Sequence, residues 1–423
     1  MTDPQALRLT DPKPVRLTDP QPVRLTDPQP VRLTDPQAGP AHWAELDPDC
    51  LGLVRRARSY LDEIAPLIPA AERDGTLPVE VIPGLLDVGF VRGAIGVGDG
   101  GLGLSHLQTA LLMEEAGRGW ASIRTTVNIL TLVAELLSAA GSEEQKQRFL
   151  RPLLAGQRLG WFAITEPEAG SDAASLTTLA DRLPAGAYRL TGRKAYITNA
   201  SYGDFGVVLA TVDPGLGARG ITAFLVEQET PGVRVVARRQ LSVRSASCCD
   251  VVLDGVVVPA GNVLGDVGRG LSLAMRAVNS GRLHVSAGCT GIAQAALEAA
   301  SSHAVSRTQF GKPIASFQLV QQLIADIAVQ THAARQVYQS AARLLDRGAD
   351  ARVECSMSKY FCSAAANQAA TNAVQVLGAA GLMEGNVAER LFRDAREATI
   401  PEGTSQMQVL QIGRALLGVS AVR

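Results

Sequence analysis

The chain has 423 residues, of which 46% are hydrophobic, and its 40 basic and 41 acidic side chains give a formal net charge of -1. This length predicts two to four domains or one large layered architecture, and the apolar content is ample for a sizeable core. Because the charges balance, nothing global favours nucleic acid or an anionic membrane surface as a partner, and any phosphate-bearing ligand must be met by a local site.

The six cysteines have no CxxC spacing, and the five histidines are scattered. This pattern predicts a reduced, cytoplasmic protein without a structural metal and without a histidine-based catalytic triad. The N-terminus lacks a basic segment followed by an apolar one, and no window of 18 apolar residues is free of charge. The sequence therefore predicts neither secretion nor membrane insertion.

The chain begins with an octapeptide repeat, "LTDPQPVR", that places prolines at positions 4, 12, 20, 28 and 36. Such a unit is too short and too polar to bury a face, so residues 1–44 are predicted to form a disordered, extended tail. The alternative is a polyproline-like ligand for a partner, which would suit a non-catalytic interaction protein.

Three segments with different periodicities follow the tail. Residues 45–160 are predicted to be helical, and "SEEQ" carries a capping box formed by Ser142 and Gln145. Residues 161–266 consist of short alternating runs bounded by turn residues, which predicts a β domain. Residues 267–423 are again helical, and an apolar stripe from Phe317 to Tyr338 predicts a buried helix face.

The stretch "GVGDGG", residues 96–101, fits the glycine pattern of a dinucleotide-binding turn. Such a site needs a second parallel strand about 30 residues further on, but "SIRTTVNILTLVAELL" is helical in pattern. We therefore expect these glycines to form a loop before a helix that begins near Ser105.

Two neighbouring segments carry the strongest local signal. "FAITEPEAGSDAASLTT", residues 162–178, offers a strand, a turn and free backbone amides, and "GRKAYITNAS" adds Tyr196 and Thr198 on one strand face. Taken alone, both also fit ordinary β-turn and strand chemistry.

Six ordered motifs make the chain from about residue 45 to its C-terminus resemble the acyl-CoA dehydrogenase family. They are "DGGLGLS", "ITEPEAGSD", "KAYITN", "SRTQFGKPIASFQLVQQLIADIA", "QVLGAAG" and "ERLFRDAREATIPEGTSQMQ". The resemblance implies a multidomain α+β fold, with an N-terminal helical domain, a central β-barrel-like domain and a C-terminal four-helix bundle. It also implies FAD as the cofactor.

Residues that match the family's flavin contacts fall into three groups. The first would line the isoalloxazine, the second would reach the FAD of a neighbouring subunit, and the third follows the catalytic motif. They are Phe162, Thr165, Ser171, Tyr196 and Thr198; Arg307, Phe310, Gln318 and Gln375; and Thr404 and Gln406. A homodimer or homotetramer is therefore implied. Arg307 also fits a solvated loop charge, and Gln375 fits a core amide.

Glu402 matches the family's catalytic glutamate, which removes the α proton of an acyl thioester while the β hydride passes to FAD N5. Gly281 occupies the position of the alternative base in other members and cannot serve. The positions expected near the substrate are Arg244, Arg282, Pro401 and Gly403. Arg282 fits an ion pair or a cap equally well, and Glu402 also fits a structural loop residue.

The predicted function is FAD-dependent oxidation of an acyl-CoA at its α,β bond, with electron-transfer flavoprotein or another acceptor as the partner. Pro401 and Leu382 stand where many members have tyrosine, and these changes remove aromatic walls from the acyl site. Three alternatives therefore remain: a dehydrogenase of short or polar acyl groups on a carrier protein in natural-product biosynthesis, a flavin oxidase or monooxygenase, and a non-catalytic interaction protein.

Overall fold

The computed structural model describes residues 42–43 and 46–421. The predicted disordered tail, residues 1–44, lies outside these residues except for positions 42 and 43. The following description concerns the part of the chain from residue 46 onward.

The N-terminal segment is helical, as predicted. Its helices are α1 (Pro48–Ile64), α2 (Ile68–Asp74), α3 (Ile82–Val88), α4 (His106–Gly119), α5 (Ala121–Ala140), α6 (Glu143–Gln145) and α7 (Arg151–Leu154). The predicted capping box at Ser142 is confirmed, and a second one at Ser105 begins α4. In both boxes the serine hydroxyl accepts from the backbone N–H three residues later, which satisfies a donor that the helix leaves free.

The glycine-rich stretch at residues 96–101 forms a loop, and the dinucleotide-binding alternative is excluded. Val97–Asp99 make a single 3-10 turn, and the chain then enters α4. The segment that would have to supply the second parallel strand is α5, a helix. No βαβ unit is present among the described residues here, so the phosphate-binding geometry cannot form.

The central segment forms a mixed sheet with the strand order β6-β7-β3-β2-β4-β5-β8, and β1 pairs with β4. Its strands are β1 (Gly160–Ala163), β2 (Leu179–Arg182), β3 (Tyr188–Thr198), β4 (Phe205–Thr211), β5 (Ile221–Glu227), β6 (Val233–Arg238), β7 (Cys248–Val258) and β8 (Val263–Leu264). One face of the sheet has its own apolar core, which includes Trp161, Leu190 and Phe224. The predicted β domain is thus present.

The C-terminal segment contains α8 (Gly270–Ser306), α9 (Gln318–Asp346), α10 (Arg352–Leu377), α11 (Val387–Glu397) and α12 (Ser405–Leu417). A short hairpin of β9 (Thr308–Gln309) and β10 (Lys312–Pro313) joins α8 to α9. A buried ion pair fastens α9 to α4, because Arg335 donates to Glu114 Oε1 at 2.7 Å.

The apolar stripe of α9 is buried along only part of its length. Ile327, Ala334 and Tyr338 are buried, but Val320 and Leu323 near the N-terminal end are only half-buried. The predicted buried face is therefore only partly buried over the first turns of α9, where Val320 and Leu323 still pack against the main core.

Helix α5 is the central buried helix of the N-terminal segment. It is long and apolar enough to pass a composition test for a membrane-spanning helix, but most of it is buried inside the protein. Its polar side chains therefore need partners within the protein. Two of them, Asn128 and Glu135, lie close to Glu402.

Candidate active site

Glu402 lies in the short loop between α11 and α12, and its backbone adopts an unusual conformation. Glu402 has φ 56° and Gly403 has φ 90°, so both are in the left-handed region, which a glutamate adopts only at a cost of about 1–3 kcal/mol. Immediately after them, the Thr404 hydroxyl caps α12 by accepting from Met407 N at 3.3 Å. The loop therefore directs the Glu402 side chain inward just before the next helix begins.

Three buried side chains hold the backbone of this loop. The carbonyl oxygen of Glu402 accepts from Arg282 Nε and from Gln408 Nε2, each at 3.1 Å. The carbonyl oxygen of Gly403 accepts from Lys359 Nζ at 2.8 Å and from Gln408 Nε2 at 2.8 Å. Arg282, Lys359 and Gln408 are all buried, so the strained conformation is fixed by partners from α8, α10 and α12.

The Glu402 carboxylate lies directly against α8. A Cβ atom at Gly281 would come 2.9 Å from Glu402 Cδ and 3.0 Å from its Oε1, which is closer than real Cβ atoms approach. From the other side, Asn128 Nδ2 of α5 donates to Glu402 Oε1 at 3.1 Å. Gly281 thus provides the space and Asn128 provides the hydrogen bond that fix this carboxylate.

The charges around Glu402 suit a proton acceptor. Desolvation raises the pKa of the Glu402 carboxyl, and this effect outweighs the hydrogen bond from Asn128 and the attraction of Arg282, Lys359 and Arg124. A carboxylate whose pKa moves toward neutrality is a stronger base when it is ionised.

A second carboxylate lies close to the first. Glu135 of α5 accepts from Ser280 Oγ at 2.9 Å, and Ser280 directly precedes Gly281. Desolvation raises the pKa of Glu135 to about 7, and the charge of Glu402 adds to the rise. The two carboxyl groups are therefore electrostatically coupled.

A buried ion pair lies beyond Glu402 along α5. Arg124 Nη2 donates to Glu397 Oε2 at 2.8 Å, and Arg124 is almost completely buried. Together with Asn128 and Glu135, this pair makes the surroundings of the base polar, which is unusual for a site expected to take a plain alkyl chain.

Three of the predicted isoalloxazine contacts, Thr165, Tyr196 and Thr198, lie near one another in the β domain. The β3–β7 ladder has a register shift between Lys194 and Ile197, and Tyr196, within the shift, has φ 60° and is 68% exposed. Ala195 N donates to Thr165 O at 2.9 Å, which places the Thr165 turn beside this bulge. Bulges of this kind re-aim side chains near active sites.

These residues fit a planar, polar ring system. The bulge presents an exposed aromatic ring next to the half-buried hydroxyl residues Thr165 and Thr198, while Phe162 is buried behind them and Ser171 is exposed on the adjoining bend. Asn199 Nδ2 donates to Thr126 O at 3.1 Å and so ties the end of β3 to α5, the helix that carries Asn128. The isoalloxazine edge and Glu402 are therefore both connected to α5.

A buried ion pair supports the turn that contains Thr165. Glu166 accepts from Lys194 Nζ at 2.7 Å and from the backbone N–H groups of Thr177 and Thr178 at 2.7 and 2.9 Å. Burial opposes ionisation, but Lys194 and these hydrogen bonds lower the pKa of Glu166 to about 2. The pair therefore anchors the turn to β3.

The remaining predicted cofactor residues lie elsewhere. Arg307, Phe310 and Gln318 are exposed at the α8–α9 hairpin, and Phe310 is 91% exposed; Gln375 is exposed near the end of α10 at the same end of the bundle. The 25 residues from Arg282 to Arg307 span about 37 Å of helix at 1.5 Å per residue. Thr404 and Gln406, by contrast, directly follow Glu402.

Of the four positions predicted to contact substrate, only three adjoin the base. Arg282 holds the loop backbone and donates from Nη1 to Gln411 Oε1 at 2.8 Å, while Pro401 and Gly403 flank Glu402. Arg244 instead pairs with Glu384 at 3.2 Å and lines a cavity of about 380 Å³ between α2 and α11.

Sequence reasoning did not identify Asn128, Glu135, His284, Lys359 or Gln408. A signal was available for two of them, because Asn128 and Glu135 are strongly polar residues seven apart in a largely buried helix, which puts them on one face. Among the described residues no group of His, Cys, Asp and Glu is arranged to hold a metal ion.

Three family models match almost the whole chain beyond the N-terminal repeat. They are the acyl-CoA dehydrogenase N-terminal domain at residues 50–157, the middle domain at residues 161–256 and the C-terminal domain at residues 268–417. The three matches occur in one order and leave only short gaps.

Two curated relatives have similar sequences. An acyl-CoA dehydrogenase of Bacillus subtilis is 38% identical, over 84% of this chain and 94% of the relative. The subunit CarC of the caffeyl-CoA reductase-Etf complex of Acetobacterium woodii is 37% identical, over 83% of this chain and 93% of the relative.

Two solved structures share the fold. Butyryl-CoA dehydrogenase from Megasphaera elsdenii has a TM-score of 0.85 and 34% identity, and the match covers 88% of this chain and 99% of that one. The prolyl acyl carrier protein oxidase AnaB has a TM-score of 0.83 and 28% identity, covering 88% and 100%. The order of the three domain matches agrees with these relatives, and the chain belongs to the acyl-CoA dehydrogenase family.

Proposed function

We propose that this protein is an FAD-dependent acyl-CoA dehydrogenase that oxidises the α,β bond of a short acyl thioester, with Glu402 as the base. The observation that carries this proposal is the Glu402 carboxylate, which lies against Gly281 and accepts from Asn128 at 3.1 Å. Such a base must be fixed within a fraction of an ångström to be effective.

Glu402 and the residues of the predicted flavin site have separate roles in the reaction. Glu402 takes the α proton onto its carboxylate, and the electron pair of the broken α C–H bond forms the new double bond. Bound FAD supplies the acceptor for the hydride that leaves the β carbon. Tyr196, Thr165 and Thr198 provide the exposed ring and hydroxyl groups that would hold the isoalloxazine, while Phe162 and Ser171 border the same edge.

Arg282, Lys359 and Gln408 serve the base indirectly. They hold the carbonyl groups of Glu402 and Gly403, and so they keep the loop in its left-handed conformation. The positive charges of Arg282 and Lys359 also limit how far desolvation raises the pKa of Glu402. We therefore assign Arg282 to positioning the loop and not to direct contact with the substrate.

We propose that the working enzyme is a homo-oligomer. Arg307, Phe310, Gln318 and Gln375 lie at one end of the bundle, about 37 Å along α8 from Arg282, and are exposed. If these residues hold a flavin dinucleotide, it belongs to a neighbouring subunit. The partly buried first turns of α9, with Leu319 exposed, offer an apolar surface to such a neighbour.

The polar surroundings of Glu402 favour a short acyl group. Arg124, Glu397 and Glu135 replace the apolar lining that a long alkyl chain needs, and Pro401 removes an aromatic wall. A carrier-protein substrate in natural-product biosynthesis is the second candidate, because the prolyl acyl carrier protein oxidase shares the fold at 28% identity. An oxidase or monooxygenase reaction is the third.

The electron acceptor and the cellular location belong to the same proposal. The relative CarC is named as a subunit of a complex with Etf, which supports electron-transfer flavoprotein as the partner here. The balanced charge and the free cysteines support a cytoplasmic location.

Anaerobic bleaching of the flavin band tests the proposal. The purified enzyme is mixed with acyl-CoA thioesters of increasing chain length and with the same acyl groups on a carrier protein. We expect bleaching by short acyl-CoA thioesters and little by long ones. Bleaching only by carrier-bound acyl groups would favour the second candidate, and substrate-dependent peroxide in air would favour an oxidase. A protein that cannot bind FAD would contradict all three.

A further inference from the structure

His284 is a fully buried histidine one turn of α8 beyond Gly281. Its Nδ1 lies 3.3 Å from Asn128 Oδ1, and Asn128 in turn donates from Nδ2 to Glu402 Oε1 at 3.1 Å. His284 of α8, Asn128 of α5 and Glu402 of the α11–α12 loop therefore form a continuous series of hydrogen-bonded side chains that ends at the Glu402 carboxylate.

Glu402 determines the direction of the hydrogen bonds that link His284, Asn128 and Glu402. The ionised Glu402 carboxylate can only accept, so the amide nitrogen of Asn128 must face it. The amide oxygen then faces the imidazole and needs a donor. His284 Nδ1 must therefore carry its hydrogen, which makes Nε2 the unprotonated nitrogen of a neutral ring.

The surroundings of Nε2 agree with a neutral ring. Nε2 is buried without a hydrogen-bond partner, and the ring borders a very small cavity lined mainly by apolar residues, including Phe90, Leu112 and Met113. A protonated imidazole would leave an N–H donor unpaired there. Burial, with a smaller effect from His106, lowers the pKa of His284 to about 3, which agrees with a neutral ring.

We propose that His284 is a positioning residue that locks the Asn128 amide with its N–H toward Glu402. This inference rests on the proposed role of Glu402 as the base. Without the lock the amide is free to rotate and to turn its oxygen toward the carboxylate, which would repel the ionised form. His284 and Asn128 together therefore keep the Glu402 carboxylate oriented and keep it ionised at lower pH.

Other charged groups also face Glu402 and must be accounted for in any pH measurement. Arg282 comes from α8, Lys359 from α10, and Arg124 with Glu135 from α5; Arg124 is itself neutralised by Glu397 of α11. None of these groups contacts His284 by a hydrogen bond, so replacing His284 changes only the Asn128 link directly.

The test compares His284→Leu with His284→Gln by the rate of flavin reduction at saturating substrate over a range of pH. Leucine cannot donate, so we expect the acid limb of the profile to move up by about one pH unit and the rate below it to fall about tenfold, with substrate affinity unchanged. Glutamine can donate to Asn128 Oδ1, so it should restore much of the wild-type profile.

A double-variant cycle separates positioning from general damage. Asn128→Ala should shift the pH profile and lower the reduction rate at least as much as His284→Leu does. The combined variant should show no larger effect than Asn128→Ala alone, because both substitutions break the same series of hydrogen bonds. A wild-type profile in His284→Leu, equal profiles for the leucine and glutamine variants, or additive effects would each overturn the proposal.

A measurement without turnover keeps the proposal testable if the variants do not fold or if no substrate is found. NMR of the wild-type protein labelled with ¹⁵N-histidine distinguishes the two ring tautomers. The His284 signal, assigned as the one that remains when each of the other four histidines is replaced in turn, should show hydrogen on Nδ1. Hydrogen on Nε2, or a ring that protonates between pH 5 and 9, would overturn the inference even if the enzyme proves to be a dehydrogenase.

Discussion

The carboxylate of Glu402 occupies the space that a side chain at Gly281 would need. An added Cβ would lie 2.9 Å from Glu402 Cδ, so the glycine and the glutamate form a complementary pair across α8 and the α11–α12 loop. Here the two positions exclude one another sterically.

Gly281→Ala should therefore displace the base without removing it. We expect the flavin reduction rate to fall about a hundredfold, because a shift of about 1 Å in a catalytic group has an effect of that size, while FAD binding is retained. The matched control is Gly413→Ala in α12, where an added Cβ meets nothing within 4 Å. Equal rates for the two alanine variants would show that the close contact has no consequence.

Glu135 should tune the pH dependence of the reaction. The charge of Glu402 raises the pKa of Glu135. Because two neighbouring carboxylates repel one another wherever both are ionised, Glu135→Gln should lower the pKa of Glu402 and move the acid limb of the reduction rate to lower pH. We expect a shift of up to about one pH unit. The exposed Glu80 serves as a control, since Glu80→Gln should leave the profile unchanged. A shift to higher pH in Glu135→Gln would contradict the coupling.

The ion pair of Glu166 and Lys194 should govern stability under acid conditions. Lys194→Met leaves a buried carboxylate unpaired, which costs about 3–5 kcal/mol in the free energy of unfolding. Because the folded pKa of Glu166 is about 2 and its ordinary value is 4.5, the stability that this group contributes is present above pH 4.5 and is lost as the pH falls toward 2.

Burial lowers the pKa of Lys194 to about 8, so the ion pair is fully charged only between about pH 4.5 and 8. The difference in melting temperature between Lys194→Met and the wild type should thus be largest in that range and should narrow at lower pH. The double variant Glu166→Gln/Lys194→Met removes both charges and should recover part of the loss. A melting-temperature difference that does not change with pH would assign the effect of Lys194 to packing alone.

Arg307 should affect the flavin site of a neighbouring subunit. Arg307→Ala is expected to weaken FAD retention about tenfold to a hundredfold, the size of a lost hydrogen bond to a charged group. The exposed Arg234 of β6 is a matched control, and Arg234→Ala should retain FAD fully. Flavin absorbance per protomer after gel filtration provides the measurement.

Mixed oligomers test whether the site is shared. When Arg307→Ala and Glu402→Gln chains are expressed together, some sites combine an intact Glu402 from one chain with an intact Arg307 from the other. At limiting FAD, flavin reduction in this mixture should exceed that of either variant alone. A mixture that reduces no more flavin than either variant would place Arg307 in the site of its own chain or outside any site.

The local features of this fold were predictable from sequence because they depend on a few adjacent residues. The capping box of Ser142 and the loop at residues 96–101 are examples, and Glu402 was identified because its motif lies in one short stretch. The apolar stripe of α9 was predicted to be buried along its whole length, but a stripe shows only which face is apolar and not what covers it.

The neighbours of Glu402 could not be predicted in the same way. Asn128 and His284 are 156 positions apart in sequence, and their contact exists only because α5 and α8 pack side by side. Lys359 and Gln408 look like an ordinary helix lysine and glutamine, and their roles appear only when the loop carbonyls are in place. The match to family motifs predicted Glu402 as the base but not the residues that hold it.

The most direct test of the account is Glu402→Gln, which removes the base and keeps the size of the side chain. We expect the variant to bind FAD with an unchanged spectrum and to form the same oligomer, while anaerobic reduction by the best acyl thioester slows by about 10²- to 10⁴-fold. A Glu402→Gln enzyme whose flavin is still bleached within tenfold of the wild-type rate would contradict the assignment of Glu402 as the base.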